Sequence, residues 1–363
     1  MFHDVSSLAA RRPTSGALAD RDVERAWARL DGFARLPTQR WGFALALAAT
    51  LLADAEITVL VAAGAGGAMA MLPICRDRGW LARWRMLGAR EVFEPGDLLC
   101  ADAEGADALA RQIAAQPRAA AFDRVPATSP LVPALVRAMR GRGLVRVRPA
   151  VACPTIALNE AWHEPEQCFN SGRRSDFRRA ARRAAELGEV TCEVLSPCPA
   201  EFDALFDEAI AVEARGWKTA AGTAIAVDRA KEAFFRDYLR QACTEGTCRV
   251  AFLRIDGQAA AMQLALEWNG RFWLYKIGFD ENFARCSPGT LLMLHTLGWA
   301  AARKLTAYEL MGNVEGWIAD FWTRESHACL RVTTYPFNLR GALAFAVDAV
   351  DWVRGRLRTV VRR

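Results

Sequence analysis

Ser287, Pro288 and Gly289 stand together in front of Thr290 and an apolar run that continues to Lys304. Serine is a good N-cap, and proline in the first helical position has no N–H to lose. The N–H groups left open at a helix start, with the positive end of the helix dipole, make an anion site, and Gly289 lets a ligand approach the backbone closely. The chemistry on offer is the holding of a pyrophosphate, with Arg285 close by. An ordinary capped helix start reads the same in isolation, so the context of the motif decides.

Glu213 is a second group with chemical potential. Phe202, Leu205, Phe206 and Ala209 follow helical spacing, and residue 213 continues that apolar stripe. A carboxylate on an apolar face is costly unless it is paired or protonated. That setting suits a base that takes a proton from an attacking ammonium. A structural ion pair, with Lys218 or an arginine, accounts for the residue equally well.

Arginines cluster in two places. Along the helix expected from about Ser175 to Leu187, Arg174, just before it, Arg178 and Arg182 fall on one helical line with Arg179 and Arg183 beside it, relieved only by Asp176 and Glu186. A solvated face, a grip on phosphates of CoA or a phospholipid, and a nucleic-acid surface all compete here. The one-signed charge favours an anion contact, and the lack of interleaved aromatics argues against DNA and tRNA. Near the C-terminus, Leu339, Leu343, Ala346, Val350, Val353, Leu357 and Val360 form an apolar stripe that Phe345 and Trp352 widen. Arg354, Arg356, Arg358, Arg362 and Arg363 load its end. The pattern fits a helix on an anionic membrane surface, while packing against the protein body or a dimer partner explains its first half as well.

The elements that must position these groups are mixed. Helical patterns from Asp20 and from Gln39 to Leu52 precede two strands, Ile57–Ala62 and Ala68–Ile74, joined by a glycine-rich turn. Helices at 106–116 and 131–142 alternate with strands at 120–125 and 144–147, and Pro149 to Pro154 reads as a linker. A strand at 155–158, the basic helix, a strand at 190–195 and helices at 200–214 and 228–243 follow. Then Arg249–Ile255, Gln258–Trp268 and Arg271–Gly278 are separated by Asp256-Gly257 and Asn269-Gly270. Such dipeptides accept the positive φ angles of tight hairpins, so an antiparallel meander is expected. A helix from Pro288 to Lys304 and a short strand, Ala307–Met311, complete the series.

The 363 residues are 52% apolar and 24% charged with a net charge of +6, enough for two domains with real cores and unlike a disordered chain. The 10 cysteines are scattered singly and only 4 histidines occur, which argues against a metal site and a disulfide framework. The N-terminus lacks the layout of a secretion signal, and the longest apolar run, Trp41–Ala53, is too short for a bilayer. A cytoplasmic protein, soluble or peripheral on the inner face of the membrane, is the expectation.

A meander, one crossover helix and one more strand resemble the GNAT acyltransferase superfamily. More closely, the chain is similar to the bacterial branch that groups cellulose-biosynthesis acetyltransferases with the FemABX peptidyltransferases. The likeness runs from about Trp27 to Tyr335. It rests on Arg173-Arg174 through Arg183, Glu213-x-x-x-Trp217-Lys218, Tyr275-Lys276-x-Gly278-x-Asp280 and Ser287-Pro288-Gly289. The glycine-rich superfamily signature is not cleanly matched, and Gly316-Trp317 stands where the branch commonly carries a Tyr-Lys pair.

The resemblance implies an α/β (α+β) chain of two tandem GNAT-like lobes, each a mixed, mainly antiparallel sheet flanked by helices. A tail at 1–19, a first lobe at 20–150, a catalytic lobe at 151–337 and a basic helix at 338–363 would be its parts. It also implies acyl-CoA as co-substrate, no permanently bound cofactor, and an amine acceptor. Lys276, Ile277, Gly278, Arg285, Ser287, Pro288, Gly289 and Thr290 would hold the CoA arm. Trp217, Lys218, Arg174, Arg178 and Arg182 would meet substrate. Acyl transfer needs a free amine, support for the oxyanion and a proton for the thiolate. Glu213 or Asp280 would serve the first, backbone N–H groups near Lys276–Gly278 the second, and Tyr275 or Tyr308 the third, with His327 a further base. A lipid-like acceptor such as a sphingoid base would make the enzyme similar to the bacterial ceramide synthases. An aminoacyl-tRNA-dependent transferase, a polysaccharide-biosynthesis acetyltransferase and a silent scaffold of an envelope complex are the alternatives.

Overall fold

The computed structural model describes residues 15–216, 227–312 and 316–361. In chain order its regular elements are α1 (Arg21–Leu30), α2 (Trp41–Ala49), β1 (Ile57–Gly64), β2 (Gly67–Arg76), β3 (Trp84–Met86), β4 (Leu99–Cys100) and α3 (Ala103–Ala114). Next come β5 (Ala121–Pro126), α4 (Leu131–Ala138), β6 (Gly143–Ala157), α5 (Ser171–Ala185), β7 (Val190–Leu195), α6 (Pro199–Ala214) and α7 (Arg229–Thr244). The series ends with β8 (Cys248–Ile255), β9 (Gln258–Trp268), β10 (Arg271–Phe279), α8 (Pro288–Ala302), β11 (Ala307–Glu309), α9 (Gly316–Phe321), β12 (Ser326–Pro336) and α10 (Leu339–Val361). Two compact units result: one runs up to Ala152 and resumes at His327, the other is Cys153–Ser326. The mixed α/β, two-lobed class expected from the sequence is the class observed.

In the first unit, β1 and β2 form the expected hairpin, paired from Ile57 opposite Cys75 to Gly64 opposite Gly67 with a register shift between Ala62 and Ala63, and β3 and β4 both pair with β2. Leu109 and Ile113 of α3 and Leu131 and Leu135 of α4 share a core with Leu60, Leu72 and Ile74. β12 pairs antiparallel with β5. That pairing corrects two boundaries read from local pattern. The second lobe ends at Ser326 rather than 337, and the Pro149–Pro154 stretch is no linker but part of the long strand β6.

The second unit holds the meander. Asp256 and Gly257 have φ of 47° and 76°, Asn269 and Gly270 of 52° and 68°, so both turns take the twin positive angles their dipeptides favour. The sheet order is β6-β11-β10-β9-β8-β7, antiparallel throughout except where β11 returns through α8 to lie parallel to β10. Helices cover both faces. Phe272 and Leu274 of β10 pack with Phe177 of α5 and with Met293, Leu294 and Leu297 of α8. Tyr275 faces the other way, toward Phe235 and Tyr238 of α7.

Candidate active site

Strand β10 is irregular in the middle. Leu274 pairs with Ala265 and Lys276 with Leu264, so Tyr275 is an extra residue without a position of its own on β9. Such a bulge re-aims side chains. Here it puts two consecutive residues on one face: Tyr275 packs on Phe235 at a centroid distance of 6.3 Å, and Lys276 Nζ lies 4.7 Å from the same ring. On its other edge, β10 keeps β11 as a partner only from Arg271 to Trp273, opposite Ala307 to Glu309. Beyond that point β10 runs on to Phe279 while β11 has ended, and the sheet opens.

A cavity of about 630 Å³ fills the opening. Tyr275, Lys276, Ile277, Gly278 and Phe279 form one wall. Ser287, Pro288, Gly289 and Thr290, the first turn of α8, form a second. Glu213, near the C-terminal end of α6, is 1% exposed yet also reaches the lining. Its approach depends on glycine, since a Cβ on Gly278 would lie 3.0 Å from Glu213 Cα and 3.1 Å from its Cβ. Met262, Met293, Leu310, Met311, Phe321 and Trp322 make the remainder predominantly apolar.

The start of α8 differs from the simple cap read in the sequence. Ser287 occupies the N-cap, but at φ 47° and ψ 54°, and its hydroxyl makes no capping bond. A β-carbon in the left-handed region is strained, and such strain collects at functional sites. What the serine supplies is its carbonyl, which accepts from the N–H of Thr290 at 3.0 Å. Arg285 is exposed and does not line the cavity; its carbonyl accepts a bond from Arg183 of α5 at 3.2 Å, tying the basic helix to the loop before α8.

The other candidates fall elsewhere. Asp280 is fully buried and engaged, accepting from Arg215 Nε at 2.5 Å and from the N–H of Asn282 at 2.9 Å. It caps a turn and does not line the cavity, which leaves Glu213 as the carboxylate in its lining among the described residues. Tyr308 is spent in the core, stacked on Phe272 and bonded to Thr296 and Gln263, and burial pushes its phenol further up. His327 is an exposed residue of the first unit. Arg178 and Arg182 are exposed on α5, and Arg174 is half-buried there. Trp217 and Lys218 lie outside the described residues.

Sequence reasoning missed the apolar half of the cavity and placed Arg173 only in the basic motif; its guanidinium sits 3.9 Å over the ring of the lining residue Phe321 and donates to the carbonyl of Asp320 at 3.3 Å. The sequence signal for that half is Gly312 directly after the expected strand Ala307–Met311; in the structure Met311 and Gly312 both take positive φ.

Residues 171–318 match the acetyltransferase (GNAT) domain family. That span includes Glu213, all of β10 and the first turn of α8. No curated protein matches the sequence. Among solved structures, the C-terminal domain of a protein assigned as a lysylphosphatidylglycerol synthetase from Agrobacterium fabrum is similar at TM-score 0.54 and 16% identity, over 91% of this chain and 95% of that one. A Bacteroides thetaiotaomicron protein is similar at TM-score 0.56 and 10% identity, over 89% and 98%. FemX is similar at 0.52 and 10%, over 87% and 96%. At these identities the likeness is one of fold.

Proposed function

Residues 171–318 form a GNAT acetyltransferase domain, which makes the chain an acyltransferase of that superfamily, and from this premise we propose that the cavity binds an acyl-CoA and passes its acyl group to an amine. The observation that carries the reading is the meeting of three features in one cavity: the bulged β10, the buried Glu213 and the first turn of α8. The pantetheine arm, an amide-bearing chain, would lie along β10 beyond Trp273 as an added strand does. Its pyrophosphate would rest against the first turn of α8 at the Gly289 N–H, where the dipole of a 15-residue helix favours negative charge. The exposed arginines of α5 supply further positive charge for the nucleotide.

The reaction then balances as follows. Glu213 takes a proton from the acceptor ammonium, and the freed nitrogen attacks the thioester carbon. The tetrahedral oxyanion is held by backbone N–H groups of the 276–278 segment. As it collapses, the C–S bond breaks and the thiolate takes a proton from the Tyr275 hydroxyl, which lies 3.2 Å from that of Tyr238. The acylated nitrogen gives its second proton to the Tyr275 phenolate, an amide and free CoA leave, and Glu213 releases its proton to water.

The apolar lining supports a lipid-like acceptor, such as a long-chain amine, over a small polar one. The test is release of free thiol from acyl-CoA by a panel of amines. Turnover with sphingoid bases and none with short polar amines is expected; no thiol release with any amine overturns the proposal. The arginine face of α5 supports a second reading, an aminoacyl-tRNA donor, which would appear as tRNA binding that falls steeply with salt.

A further inference from the structure

Helix α10 is seated through Gly341, Ala344 and Asp348 and leaves an aliphatic stripe outward. Gly341 and Ala344 are buried beneath it. The Asp348 carboxylate accepts bonds from both Arg83 Nη atoms at 2.8 Å and from the Tyr335 hydroxyl at 2.6 Å. About half a turn away at 100° per residue, Leu339, Leu343, Val350 and Val353 are 77%, 42%, 48% and 48% exposed, and Ala346 is exposed between them. Phe345 and Trp352 flank the seated side instead, Phe345 against the Tyr335 ring at 5.3 Å and Trp352 with the Arg146 guanidinium 6.0 Å from its ring.

An uncovered stripe of this length is costly in water and marks a contact surface. Its charges say what it contacts. Arg340 and Arg354 are exposed on α10, and the sequence continues with Arg356, Arg358, Arg362 and Arg363. The acids of the helix are Asp348, already engaged by Arg83, and the exposed Asp351. A second copy of the chain would bring the same cations together across a symmetric interface. An anionic bilayer satisfies both stripe and charge, the aliphatic residues entering the acyl boundary and the arginines meeting phosphates. No helix among the described residues is long and apolar enough to cross a membrane.

We infer that α10 is an interfacial helix that docks the protein flat on an anionic phospholipid surface through Leu339, Leu343, Ala346, Val350 and Val353. The Arg83–Asp348 pair holds it in the orientation that presents them. The inference is independent of the acyl-transfer reading and is read without activity. The full chain is mixed with vesicles of 30% phosphatidylglycerol in phosphatidylcholine, and with pure phosphatidylcholine, and floated in a density gradient. The expected result is flotation with the anionic vesicles, at least tenfold weaker binding to neutral ones, and at least tenfold loss in the L343S/V350S/V353S variant. Because those positions are exposed, the variant should keep the wild-type melting temperature, and R340E/R354E should lose anionic binding by a comparable factor. Equal binding of wild type and a folded stripe variant overturns the inference. So does a wild-type dimer that the stripe variant converts to monomer while vesicle binding is unchanged.

Discussion

Gly278 and Glu213 approach so closely that a single added carbon on the glycine would stand 3.0 Å from the glutamate's Cα. The contact places the proposed base: β10 can bring its backbone against α6, and the carboxylate can reach the cavity, because residue 278 has no side chain. Gly278→Ala should therefore push the end of α6 away from β10. Overpacking of this kind costs about 1–3 kcal/mol, and displacement of a catalytic group by about 1 Å costs up to roughly a hundredfold in rate. Thiol-release kinetics alongside urea unfolding would register both, and wild-type turnover in the alanine variant would contradict the contact's importance.

Gly289 behaves differently. A Cβ there would meet only Phe279, at 3.6 Å, an ordinary contact. Gly289→Ala should fold normally and gain up to about 1 kcal/mol from helix propensity, while the methyl group crowds a pyrophosphate on the same turn. Thermal unfolding with and without CoA separates the two effects. The variant should melt at or above the wild-type temperature alone but show a smaller CoA-induced shift; an undiminished shift would remove Gly289 from the ligand's path.

Removing the proposed base, Glu213, should spare binding. In Glu213→Gln the amide keeps the size of the side chain but cannot take a proton, so kcat should fall by roughly 10²–10⁴ with CoA affinity within about twofold of wild type. A parallel loss of CoA affinity would assign Glu213 to binding instead.

Much of this arrangement was legible. The Asp-Gly and Asn-Gly pairs announced the meander because their backbones tolerate positive φ, and Ser287-Pro288-Gly289 announced a helix start. What stayed hidden is non-local. The bulge at Tyr275 exists only in the pairing of β10 with β9, and the place of β12 only in its pairing with β5. Pro149 and Pro154 look like linker residues because local pattern cannot show a strand whose partners come from far along the chain. Asp280 misled for a related reason: an acid beside a glycine-bearing strand looks catalytic until Arg215 and the N–H of Asn282 are seen to occupy it.

A pH effect is expected in the first unit. Burial pushes the Asp97 carboxyl up to about 7, against bonds from the Ser129 hydroxyl and the Leu98 N–H and the charge of Arg35. Unfolded, the group titrates near 4. Between roughly pH 4 and 7 the folded form holds a proton that the unfolded form has lost, so this contribution to stability falls as pH rises through that window and is flat above it. Urea midpoints of wild type and Asp97→Asn, compared from pH 5 to 8, should diverge as pH rises, with the asparagine variant gaining relative stability. Parallel curves would contradict the shift.

The most direct measurement is a crystal structure of the protein with CoA. The pantetheine arm is expected beside Lys276–Gly278 and the pyrophosphate against the first turn of α8, within hydrogen-bond distance of the Gly289 N–H. CoA bound elsewhere, or a cavity that stays closed to it at saturating concentration, would contradict the account.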